Sequence, residues 1–110
     1  MPEASLGVFV TGGLTATLPA AAGLSRAKAL MLLGDEFSAA QAQAWGLVWE
    51  VVAASGLEAA AMRIAARLAA LQPEVTARYK KVLNEIGLDT FRRAIAQENE
   101  AQAALVRLSP

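Results

Sequence analysis

Apolar residues recur at helical spacing along most of the chain. Leu57, Ala61, Ile64, Leu68 and Leu71 share one face of a predicted helix running to about Leu71. Ser55 and Glu58 have capping-box spacing at its start. Pro73 suits the first turn of the next helix, where its missing N–H costs nothing. Val75, Tyr79, Val82 and Ile86 line that helix, and Gly87 closes it. A last helix is predicted from Thr90 to about Leu108, capped by Asp89. Its apolar positions are Phe91, Ala94, Ile95, Gln102 and Leu105, and the stripe weakens at Glu98, Asn99 and Glu100.

The earlier part of the chain is more broken. Leu24, Ala27, Leu30 and Met31 fall on one face of a helix over 24–33, stopped by Gly34. Ser38-Ala39-Ala40-Gln41 spells a second capping box and opens a short helix to Trp45, ended by Gly46. Leu14 to Leu18 reads as a short helix halted near Pro19. Residues 47–52, Leu-Val-Trp-Glu-Val-Val, are the one good strand candidate. A single strand makes no sheet alone, so this segment pairs with something outside this chain or it is not a strand.

Composition narrows the chemistry. The 55% hydrophobic fraction overstates the core, because 26 of the 110 residues are alanine. Alanine adds little buried area but favours helices and close helix approach. Ten basic and ten acidic residues cancel, so no field favours nucleic acid or an anionic membrane surface. With no Cys and no His, disulfides, thiol catalysis, Cys/His zinc sites and Ser-His relays are excluded. A general acid or base must be Glu, Asp, Lys or Tyr. No apolar run reaches about 18 residues, and residues 4–24 lack a basic leader. A cytoplasmic protein with no membrane and no nucleic-acid partner is expected.

Two features could carry chemistry: Glu3 and the pair Gly12-Gly13. Taken as bare residues, a glutamate at position 3 reads as solvated and frayed. The glycine pair reads as a turn before a helix. Trp45 and Trp49 read as core or interface residues, and Lys80, Lys81, Arg92 and Arg93 as a solvated face.

The order of short motifs changes that weighting. Pro2-Glu3, Leu6-Gly7, Gly12-Gly13, Leu18-Pro19 and Gly23-Leu24-Ser25-Arg26-Ala27 are followed by Leu33-Gly34 and Phe37-Ser38-Ala39. Then come Ala44-Trp45-Gly46-Leu47-Val48, Ala69-Ala70-Leu71-Gln72-Pro73 and Lys80-Lys81-Val82-Leu83-Asn84. This series, covering residue 1 to about 104, resembles the second half of the crotonase (enoyl-CoA hydratase/isomerase) superfamily.

The resemblance implies a mainly α fold with one short strand. It would be the C-terminal helical part of a crotonase-like α/β fold whose N-terminal ββα spiral is absent. It implies an active-site loop and glycine turn over 1–23, short helices and the strand over 24–54, and a helical oligomerisation region over 55–110. Glu3 would be one of two active-site acids acting on an acyl-CoA thioester through a stabilised enolate. A desolvated carboxyl group suits such proton transfers. Gly12 and Gly13 would leave room for the acyl chain. Coenzyme A would enter as part of the substrate, with no separate cofactor, and the protein would form a homo-oligomer, a trimer or hexamer.

The sequence departs from the family at Val10-Thr11-Gly12-Gly13-Leu14-Thr15, where hydratases carry a more glycine-rich turn followed by Thr-Gln-Arg-Leu. That turn shapes the pocket, so the acyl group stays open. The family's oxyanion hole and first glutamate precede the Pro-Glu motif, and a closing Glu-Gly and Phe-Leu-x-Lys-Arg segment follows the last helix. The expectation is therefore a fragment that is inactive alone. The alternative is a non-catalytic helical oligomerisation or interaction module. An amphipathic coating protein fits less well, because the glycine and proline punctuation is too regular and no helix has a broad basic face.

Overall fold

The computed structural model describes residues 1–108. They form six α-helices: α1 (Leu14–Ala22), α2 (Leu24–Leu33), α3 (Ala39–Ala44), α4 (Leu57–Ala69), α5 (Pro73–Gly87) and α6 (Phe91–Leu108). A single 3-10 turn, Ala54–Gly56, leads into α4.

Several helix ends follow the predicted chemistry. At α3 the Ser38 hydroxyl accepts the Gln41 N–H at 3.1 Å, and the Gln41 side-chain oxygen accepts the Ser38 N–H at 2.9 Å. The capping box is therefore complete. Pro73 is the first residue of α5. Gly34 ends α2 in the left-handed region (φ 68°), where a Cβ would lie 2.8 Å from the Met1 carbonyl oxygen.

Four expectations are corrected. Residues 47–52 form no strand, and no strand occurs among the described residues. Nothing lies beside this segment to complete a ladder. It runs instead as irregular chain along α4, where Trp49, Glu50 and Val52 meet Leu57, Ala60, Ala61 and Ile64. Glu50 is tied there to Arg63 at 2.8 Å. Helix α1 does not stop at Pro19 but carries it through to Ala22. Proline's fixed φ suits a helix, and its cost is the donor it denies to the carbonyl four residues back. Three alanines and the Gly23 N–H, which donates to the Pro19 carbonyl at 2.8 Å, sustain the last turn. Ser55 does not cap α4, because it lies inside the 3-10 turn and Gly56 takes the cap position without a side-chain bond. At α6 the cap position falls to Thr90, whose carbonyl accepts the Ala94 N–H at 2.8 Å, rather than to Asp89.

The core sits at one end of the molecule. Leu18 of α1 and Ala27 and Leu30 of α2 are its buried centre, with Met1, Leu14, Met31, Trp45 and Leu47 against it. Helix α1 lies between α2 and α6. Helix α5 buries none of its residues, although Val75, Tyr79, Val82 and Ile86 make one apolar face. The described chain is accordingly extended, 55 × 32 × 23 Å with a radius of gyration of 17.3 Å. A compact chain of this length measures about 13 Å. Among the described residues no helix is long and apolar enough to cross a membrane.

Candidate functional site

Residues 2–8 fold into a tight turn before α1. The Leu6 N–H reaches the Pro2 and Glu3 carbonyls at 3.1 Å each, and the Val8 N–H reaches the Glu3 carbonyl at 3.0 Å. The Ser5 hydroxyl donates to the Pro2 carbonyl at 2.8 Å. These bonds fix the backbone of Glu3, so it is not frayed as a terminal residue would be.

Glu3 is among the residues lining a cleft of about 280 Å³, with Val8, Thr15, Pro19, Ala27 and Met31. The walls are overwhelmingly apolar. Lys28 is the cation at its rim, and Glu3 is the lone carboxylate in the lining. One Glu3 oxygen, Oε2, is buried and has no hydrogen-bond partner among the described residues. A buried acceptor without a donor is costly, and such groups in native folds call for a reason. An acid–base carboxylate awaiting a proton on a bound substrate is one such reason.

The glycine pair lies beside this cleft rather than in its wall. Gly12 (φ 74°) and Gly13 (φ 82°) both take left-handed backbone. A Cβ on Gly12 would meet open space, whereas one on Gly13 would press into the Phe91 ring, 2.7 Å from Cζ. Gly13 thus lets α6 approach α1 closely.

A residue outside the candidates chosen from the sequence completes the arrangement. Glu98 of α6 is 1% exposed, the largest fully buried side chain among the described residues. Its Oε1 accepts the Gly13 N–H at 2.9 Å. Its Oε2 accepts the Thr15 N–H at 2.9 Å and the Thr15 hydroxyl at 2.6 Å. Burial pushes the Glu98 carboxyl up, but the Thr15 hydroxyl and the Thr15 and Gly13 amides outweigh it and hold the group below its ordinary value. The carboxylate also faces the N-terminus of α1, where negative charge is favoured. One turn along α6, the Gln102 side-chain oxygen accepts the Phe9 N–H at 2.6 Å. The Gly13 and Thr15 amides are therefore spent on Glu98 and are not free to receive a thioester oxygen.

The signal for Glu98 lay in its spacing. Phe91, Ile95, Glu98, Gln102 and Leu105 alternate by four and three residues and form one seam, so Glu98 and Gln102 are polar groups at core positions. Trp45 is half-buried, tilted 51° against Phe37 (centroids 5.5 Å apart), with the Arg26 guanidinium 5.0 Å from its ring centre. Trp49 is 86% exposed. Lys80, Lys81, Arg92 and Arg93 are exposed, as the helical pattern predicts.

The chain is similar to known proteins along nearly its whole length. The enoyl-CoA hydratase/isomerase family profile matches residues 1–107. The 1,2-epoxyphenylacetyl-CoA isomerase of Escherichia coli strain K12 is 33% identical over 102 residues, which are 93% of this chain and 39% of that protein. The crystal structure of an enoyl-CoA hydratase from Mycobacterium avium subsp. paratuberculosis K-10 superposes with a TM-score of 0.93 at 33% identity, over 100% of this chain and 44% of that one. The chain thus spans well under half the length of these relatives. The match runs nearly end to end, the helices superpose, and the Pro-Glu turn opens onto an apolar cleft: the chain belongs to the enoyl-CoA hydratase/isomerase family of the crotonase superfamily.

Proposed function

We propose that these residues supply one acid–base wall of an acyl-CoA site, with Glu3 as the proton-transferring carboxylate. The observation that carries this reading is Glu3 as the lone carboxylate lining a cleft of apolar side chains, with a buried Oε2 that no donor among the described residues meets. An acyl chain fits such walls, and the α-carbon of its thioester would lie against the carboxylate. Removing a proton there leaves an enolate; returning one to the α- or γ-carbon gives exchange or isomerisation. Adding water across a double bond uses the same carboxylate with a second acid. Coenzyme A belongs to the substrate, and no further cofactor is part of the reading.

The cleft lining offers one carboxylate and no second, and the Gly13 and Thr15 amides are committed to Glu98. Both facts favour a chain that holds part of a site and is inactive by itself. Gly12 and Gly13 then serve the acyl pocket indirectly, by setting where α1 begins. We further propose a homo-oligomer, a trimer or hexamer; the uncovered apolar faces of α4 and α5 support an interface there.

The test is a chimera in which this chain replaces the matching 44% of the mycobacterial hydratase. Crotonyl-CoA hydration is expected in the chimera and absent in the isolated chain. Glu3→Gln should lower kcat by about 10²–10⁴-fold, the usual contribution of a positioned acid or base. Turnover by the isolated chain that disappears in Glu3→Gln would show that the site is complete within these residues.

A further inference from the structure

We infer that Glu98 and Gln102 are positioning residues for the acyl cleft: from α6 they hold residues 9–15 by backbone N–H groups and so fix the wall against which the acyl group packs. This inference rests on the reading of the Glu3 cleft as an acyl-thioester site.

Helix α6 contributes no residue to the cleft lining, yet the segment it grips does. Phe9, Val10 and Thr15 all line the cleft, and Thr15 does so while donating twice to Glu98. The two acceptors stand four residues apart on α6, one turn or about 6 Å along its axis. That spacing lets one helix face hold the strap at both ends, Phe9 through Gln102 and Gly13 with Thr15 through Glu98. Phe91 adds a third hold, because its ring occupies the space that a side chain at position 13 would need.

The alternative of a second catalytic acid does not fit Glu98. Both of its oxygens already accept hydrogen bonds, and it is absent from the cleft lining. Its chemistry is that of an anchor. The carboxylate satisfies three donors at once, and without it the buried Gly13 amide and the half-buried Thr15 amide and hydroxyl would lose their partner. The strap between Phe9 and Thr15 also carries the two left-handed glycines, which resist deformation little by themselves. Its position is therefore set from outside, by α6.

Amide hydrogen exchange on this chain tests the clamp without reference to activity. Glu98→Gln is expected to speed exchange at Gly13 and Thr15 by about tenfold or more, because one accepting oxygen becomes a donor. Gln102→Leu should do so at Phe9, with α4 and α5 unchanged in both variants. In the chimera, Glu98→Gln should raise the KM for crotonyl-CoA about tenfold and move kcat by less than about threefold, the reverse of the effect of Glu3→Gln. Thr15→Ser, which keeps the hydroxyl donor, should retain the parent KM, and Thr15→Val should not; this pair serves if Glu98→Gln fails to fold. Unchanged exchange at Gly13 and Thr15 in Glu98→Gln overturns the inference, as does a fall in kcat at constant KM. A chimera indifferent to Glu3→Gln refutes the acid–base reading, while the exchange rates still decide the clamp.

Discussion

Two glutamates in this chain have opposite environments, and the contrast separates their roles. Glu3 places an oxygen where no donor meets it, while Glu98 receives a donor on each oxygen and two on one of them. Because Glu98 is held below its ordinary value of 4.5, its carboxylate form is favoured by folding. The sign follows from linkage: the stabilisation is present above that value and is lost as pH falls through the lower folded value. Acid titration of the parent should therefore lose stability below about pH 4.5, and Glu98→Gln should flatten that acid limb, measured by circular dichroism melts. Glu3 was singled out in the sequence by Pro2-Glu3, because that motif is local. Glu98 was not, because a polar break in a helical stripe ordinarily faces water, and its partners lie 85 and 83 residues away.

At the scale of elements, what could be read was what neighbouring residues decide. The Ser38–Gln41 capping box, the Gly34 stop and Pro73 at the head of α5 depend on contacts within a few residues. The misread elements depended on something further off. Residues 47–52 have strand composition, but β-propensity expresses itself only against a neighbouring strand, and here the neighbour is helix α4. Pro19 was tolerated because α1 is packed on both sides, by α2 and by α6. The contact between α1 and α6 makes a prediction of its own. Gly13→Ala adds a methyl group to a left-handed backbone and drives it into the Phe91 ring. A loss of about 1–3 kcal/mol is expected in denaturant unfolding. Gly12→Ala faces open space and bears only the backbone strain, so it should cost less.

The whole molecule is a packed end and an open end. The core around Leu18, Ala27 and Leu30 joins α1 and α2, and α6 is held to it through Glu98 and Gln102. Helices α4 and α5 extend from this unit with apolar residues uncovered: Leu57 is 63% exposed, Leu83 66% and Ile86 75%. Surfaces of that kind on α-helices are covered in stable proteins. A discrete trimer or hexamer is expected by light scattering at micromolar concentration, and a monomer under the same conditions would contradict the proposal. The family assignment was legible at this scale because the order of motifs survives along the whole chain, as the match over residues 1–107 confirms. The extended shape was not, since an amphipathic stripe on α5 states that a face is buried without stating by what.

The most direct measurement is proton exchange at the α-carbon of butyryl-CoA in deuterated water, followed by mass spectrometry. It reads the step assigned to Glu3 whether the overall reaction is a hydration or an isomerisation. The chimera carrying this chain is expected to place deuterium on the α-carbon, and Glu3→Gln to slow that exchange by about 10²–10⁴-fold. Exchange at the same rate in both proteins would contradict the assignment.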